Sequence, residues 1–341
     1  MIRALLSHDL PRSRILGALL IACFVGLLGA PFIFPGTQAL NVAAKILVFI
    51  LLVASYDLLL GYTGIVSFAH TMFVGIGAYG IAIAATRLGP DWSSLAIGFA
   101  AALALSAALA LAMGLASLRV KAIFFAMITL AVASAFMTLA SQLSDFTGGE
   151  DGLNFQLPEA LRPSTEFMEE PVLGVTLDGR LLTYYLLFVA VAALVALLLR
   201  IVNSPFGRVL QAIRDAESRV MFCGYNPLAY KLAIWTLSAV MCGIAGALYV
   251  PQVGIINPSE MSPASGIEIA IWAAVGGRAT LIGPIIGAFF VNGAKSWFTV
   301  AFPEFWLYFL GALFILVTLF LPDGIVGGVK KLLNKNAEVK A

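Results

Sequence analysis

The chain has 341 residues, of which 61% are hydrophobic and 11% charged, with a formal net charge of +2. An ordinary soluble domain carries about 25% charged residues, so this composition excludes a soluble fold. The near-neutral charge gives no reason to expect nucleic acid as a partner, and the few cysteines and histidines lack the spacing of a zinc site or a disulfide framework.

A bilayer crossing needs roughly 20 apolar residues. Runs of that kind fall near 15–34, 40–60, 64–85, 93–117, 122–141, 181–200, 232–250, 266–277, 280–300 and 305–321. Barrel-type alternation over about ten residues is absent. The expected fold is an all-α polytopic membrane protein of about ten transmembrane helices, forming a single transmembrane domain over 1–341. The first run, behind Arg3, Arg12 and Arg14, resembles a signal peptide, but its length and the lack of a small-residue cleavage site before Pro35 favour an uncleaved span. Cys23, Cys223 and Cys242 read as core filler.

The second and third runs meet at GYTGIVSFAHTMFVGIGAYG, residues 61–80. Its last six residues match G-x-G-x-x-G, yet they sit in a long apolar run with no strand–helix–strand pattern around them, so a dinucleotide site is excluded. Two readings stand: small residues that let helices approach closely in lipid, or a helix break at 61–64 lining a path. Gly283 and Gly287, a GxxxG pair beside Pro284, admit the same two. His70 has no nucleophile or second ligand near it in sequence, which favours a packing or capping role over catalysis.

With the N-terminus placed in the cytoplasm, basic residues divide fifteen inside to five outside, the five being Lys45, Arg87, Arg162, Arg180 and Lys295. That positive-inside bias puts both termini in the cytoplasm and the acidic loop 142–180 outside. The candidate charged residues within spans are Lys45, Asp57, Glu268 and Lys295. An ion-coupled transporter or channel would need such groups near the bilayer centre. Here Lys45, Glu268 and Lys295 fall within one or two turns of an interface, where the lysines can snorkel, and Asp57 lies close to the 61–64 break.

The loop 201–231 reads IVNSPFGRVLQAIRDAESRVMFCGYNPLAYK. Ser204 is an N-cap with Pro205 at the first helical position, and Gly224 followed by Pro227 supplies a stop. Between them Phe206, Val209, Leu210, Ile213, Val220 and Met221 recur at helical spacing, opposite Arg208, Arg214, Asp215, Glu217 and Arg219. Such an amphipathic helix lies on lipid headgroups or inserts into a groove on a cytoplasmic partner.

From SPFGRVLQAIRDAESRVMFCGYNPLAYK into the following span, the sequence resembles the coupling loop of the permease subunits of ABC importers for branched-chain amino acids and related solutes. GYTGIVSFAHTMFVGIGAYG, TGGEDGL at 147–153 and LPDGIVG near the C-terminus match as well, so the likeness covers nearly the whole chain. It implies an inner-membrane subunit working with a second homologous permease, cytoplasmic ABC ATPase subunits and an extracytoplasmic solute-binding protein that docks on the outer loops. It implies ATPase coupling through Ser204, Phe206, Gly207, Arg214, Glu217 and Gly224. The chain itself would bind no cofactor: no G-x-x-x-x-G-K-[ST] loop occurs, so ATP belongs on another subunit.

Within that family the aromatic-rich run from Ile267 to Pro322 is similar to the urea-type permease. Asp57 stands where amino-acid members commonly carry Asn. Ala279 after Arg278 departs from the more usual glycine. Urea therefore ranks above branched-chain amino acids as solute, with an ion-coupled transporter or channel as the further alternative. A path for a small planar amide needs acceptors and aromatic faces, which singles out Tyr56, Asp57, Glu268 and Trp272. Each also has a plain reading, as a helix-end cap or a packing aromatic.

Overall fold

The computed structural model describes residues 14–33, 36–120, 122–162, 165, 178–277, 280–302, 305–320 and 324–325. Helices occupy every place where an apolar run was expected. They are α1 (Arg14–Ile33), α2 (Thr37–Thr63), α3 (His70–Leu88), α4 (Trp92–Ser117), α5 (Ala122–Gln142) and α6 (Gly179–Val202). The amphipathic segment forms α7 (Pro205–Phe222), followed by α8 (Pro227–Val253), α9 (Pro263–Gly276), α10 (Ile282–Ala301) and α11 (Trp306–Phe320). Among the described residues six of them, α2 to α6 and α8, are long and apolar enough to cross a bilayer, and shorter apolar helices stand beside them.

The structure is consistent with the expected all-α polytopic fold. Beside the helices, a two-residue strand β1 (Leu153–Asn154) pairs antiparallel with β2 (Ile255–Ile256), tying the loop after α5 to the chain leaving α8.

Burial sorts the helices into centre and rim. In the most apolar stretch of α2, 83% of residues are buried, against 17% in α5, so α2 is enclosed by protein while α5 faces outward. Helix α8 packs against α2, α3 and α4, and α9 and α10 close on the other side of α2. In lipid there is no hydrophobic force between helices, so close backbone approach has to supply the attraction. A Cβ on Gly77 of α3 would lie 1.9 Å from the Gly243 carbonyl oxygen of α8, and one on Gly246 would lie 1.9 Å from the Val74 carbonyl oxygen. Gly75, Gly77 and Gly80 of the 61–80 stretch are therefore contact points, and close packing is the reading they support. Gly276 and Gly283 do the same for α9 and α10. Helix α4 adds a buried stripe of small residues at near-four-residue spacing, Ser94, Gly98, Ala102, Ser106, Ala110, Gly114 and Ser117, facing α3 and α8.

The helix break falls later than 61–64. Helix α2 runs through Thr63 and ends at Gly64, whose φ of 72° is left-handed backbone and whose N–H bonds the Leu60 carbonyl at 3.1 Å. Residues 64–69 are not helical. The Phe68 N–H is met by Thr129 Oγ1 of α5 at 3.1 Å and the Ala69 N–H by Ser67 Oγ at 3.2 Å, the covering that freed backbone groups require within a membrane.

Candidate functional site

Between α2, α3, α8, α9 and α10 lies a cavity of about 400 Å³. Its apolar wall is Val42, Ile46, Phe49 and Leu52 of α2 with Val74 of α3 and Ile269 of α9. Four charged side chains also line it: Lys45, Glu260, Glu268 and Lys295. Lys295 Nζ donates to Glu268 Oε2 at 2.6 Å, joining α10 to α9, and sits 5.9 Å from the centre of the Trp272 ring. Trp272 is 2% exposed and packs edge-on against Phe49, with centroids 5.0 Å apart. Its indole N–H finds no acceptor among the described residues. Tyr249 donates to Glu260 at 3.4 Å. Two charges of each sign on an apolar wall can take a solute that carries both.

Of the four expected path residues, Glu268 and Trp272 line this cavity, and Tyr56 and Asp57 do not. Asp57 is fully buried in α2. The Tyr56 ring stands edge-on to His70 at 4.9 Å, inside a polar knot that holds three helices together. There His70 Nε2 and Ser238 Oγ lie 2.8 Å apart, and Ser238 donates to the Ser55 carbonyl at 2.5 Å. Trp235, next to His70, donates to the Ala110 carbonyl of α4 at 2.7 Å. His70 is a packing residue here. Lys45, Lys295 and Asn292 lie in the cavity, although the sequence reading left the lysines as snorkelling side chains and passed over Asn292.

The second site is α7. Pro205 starts it, but Ser204 does not cap it through its side chain: the hydroxyl donates back to the Ile201 carbonyl at 2.6 Å. The helix also breaks once, at Ala216, whose φ of −159° and ψ of 77° are extended, so the expected continuous helix is two segments. Gly207 is buried where a Cβ would meet the Val202 carbonyl oxygen at 1.9 Å, and Phe206 stacks on Tyr230 of α8 at 5.5 Å. Arg214 Nη1 donates to the Gly61 carbonyl at 2.6 Å, capping α2, and its Nε bonds Asp215 at 2.9 Å. Past the kink, Glu217 pairs with Lys231 of α8 at 2.6 Å. Gly224 has φ of 84° with open space around it, so it is required by the turn and not by packing. The expected apolar stripe fails at its end. Met221 is exposed and Phe222 is 91% exposed, and Cys223 is exposed too, unlike the buried Cys23 and Cys242.

A larger cavity of about 550 Å³ lies along Asn41, Gln156, Arg162, Arg180 and Gln252. Among the described residues no group of His, Cys, Asp and Glu is placed to hold a metal ion. Lys330, Lys331, Lys335 and Lys340, Arg278 and Ala279, and most of LPDGIVG lie outside the described residues, as do Arg3, Arg12 and most of 163–177.

Residues 38–318 match the family model described as branched-chain amino acid transport system / permease component. The chain is 25% identical over 84% of its length to the high-affinity branched-chain amino acid transport system permease protein LivM of Salmonella typhimurium, covering 70% of that protein. It is 25% identical over 81% of its length to the permease protein BraD of Pseudomonas aeruginosa, covering 91% of it. A stretch amounting to 41% of the chain is 28% identical to the autoinducer 2 import system permease protein LsrC of Photorhabdus laumondii, over 43% of that protein. No solved structure matches.

Proposed function

The chain belongs to the branched-chain amino acid transport permease family, and from that premise we propose that it carries a zwitterionic, branched-chain-type amino acid into the cytoplasm as one subunit of an ATP-driven importer. It is a multi-pass inner-membrane protein of a transport, not an enzymatic, family. ATP would be bound and hydrolysed by separate cytoplasmic subunits, and solute would arrive from an extracytoplasmic binding protein. A second permease chain would complete the passage.

The observation that carries the solute class is the cavity of four charges on an apolar wall. An amino acid places its carboxylate toward Lys45 or Lys295, its ammonium toward Glu260 or Glu268, and its aliphatic side chain on Phe49 and Leu52. Urea has no charge to match these groups. The charged cavity thus favours an amino acid over urea, reversing the order drawn from the aromatic run.

Coupling follows from α7. Its first segment grips α2 through Arg214 and Gly61, and its second grips α8 through Glu217 and Lys231. At about 1.5 Å per residue, the α2 axis carries a displacement at Gly61 some 14 Å up to Leu52 and 24 Å to Lys45. The exposed tip, Met221, Phe222 and Tyr225, suits an apolar groove on an ATPase.

Uptake of labelled leucine and urea in cells lacking this chain, with and without its restoration, tests the reading. Leucine uptake restored by the chain and dependent on ATP is expected. Restored urea uptake without leucine uptake overturns the solute, and transport by the chain alone on a proton or sodium gradient overturns the ATP-driven reading.

A further inference from the structure

We propose that the Glu268–Lys295 pair is an internal stand-in for the solute, a lock that only a zwitterion opens at little cost. The proposal rests on the amino-acid reading above and adds how the site rejects uncharged molecules. Lys295 Nζ and Glu268 Oε2 are 2.6 Å apart, on different helices, with side chains 35% and 16% exposed. The pair closes α10 onto α9 across the cavity beside Trp272.

Separating such a pair leaves two partly desolvated charges, which is costly unless each finds a new partner. A zwitterion supplies both at once. Its carboxylate takes the Lys295 ammonium beside the Trp272 ring, whose centre lies 5.9 Å from Nζ. Its ammonium takes the Glu268 carboxylate. One ion pair is exchanged for two. A neutral amide of the same shape either leaves the pair shut or opens it without replacing it, so the pair discriminates by what it refuses as much as by what it binds.

The test is equilibrium binding of labelled leucine to the solubilised permease–ATPase complex without its binding protein, with unlabelled leucine and 4-methylpentanamide as competitors. In the wild type, leucine should displace the label about 30-fold or more better than the amide, the scale of losing a close charge pair. The double variant Glu268→Gln, Lys295→Met should bring the two competitors to within about 3-fold, and Glu268→Asp with Lys295→Arg should keep the wild-type ratio. If that double variant does not assemble, Glu268→Met with Lys295→Gln neutralises the pair the other way round and reads the same ratio. An unchanged ratio in the neutralised variant overturns the lock while leaving the amino-acid reading intact. A wild-type complex that binds no leucine overturns both.

Discussion

Arg214 on α7 and Gly61 near the end of α2 are 153 positions apart in sequence and 2.6 Å apart through the guanidinium and the carbonyl oxygen. The cation sits at the C-terminal end of a helix, where unpaired carbonyls and the helix dipole both favour positive charge. A hydrogen bond to a charged group contributes roughly 1.5–3 kcal/mol, toward the lower end here because the side chain is 32% exposed. The Arg214→Ala variant is expected to assemble with its ATPase and hydrolyse ATP, while uptake falls about 10-fold or more. Uptake and hydrolysis measured on one preparation check this, and wild-type coupling would remove Arg214 from the path.

The tip of α7 gives a separate prediction. Phe222, at 91% exposed, has no packing role within the chain, so Phe222→Asp should leave stability within about 0.5 kcal/mol. Association with the ATPase should fall at least about 10-fold, since an aromatic anchor in a groove is the kind of residue that dominates binding. Co-purification of the two subunits reads the loss. Unchanged association combined with loss of lipid binding would assign the tip to the membrane surface.

Gly77 and Gly293 should respond in opposite ways to the same substitution. Alanine at Gly77 meets the Gly243 carbonyl at 1.9 Å and must push α3 from α8, a strain of about 1–3 kcal/mol or more. Alanine at Gly293 meets nothing within 4 Å and gains up to about 1 kcal/mol of helix propensity. Thermal unfolding of the solubilised protein separates them: Gly77→Ala lowers the midpoint and Gly293→Ala holds or raises it.

His70 and Ser238 are coupled through a bond of 2.8 Å in a buried knot, so their effects on stability should not add. Each alanine variant is expected to cost about 1–3 kcal/mol, and the double variant less than the sum. The folded fraction should transport normally, because neither residue lines the cavity. A normal yield with abolished uptake in His70→Ala would make the histidine functional.

Much of this molecule is legible from local pattern. Apolar length marks the helices other than α7, whose start Pro205 marks and whose turn Gly224 marks. What escapes is whatever depends on two helices meeting. Glu268 and Lys295 are 27 residues apart on neighbouring helices, and only the register of the turn between them places the charges level. A paired reading of two opposite charges flanking one short turn was the available signal. The break was misplaced because GYTG offers two glycines, and the Gly61 carbonyl is held by an arginine from another element. Asp57 drew attention as a charge in a span, yet its side of α2 is enclosed by packed helices, which no single helix pattern reveals.

The glycine face of α3 also has a history in time. Its partner α8 begins at Pro227, long after α3 ends at Leu88. At 5–20 residues per second, the ribosome needs on the order of ten seconds to make the intervening chain. For that interval α3 waits in the bilayer or its insertion machinery with the face that α8 covers left open. Assembly of this permease is therefore gated by the late arrival of α8, and chains truncated before Pro227 should be cleared by membrane quality control instead of accumulating.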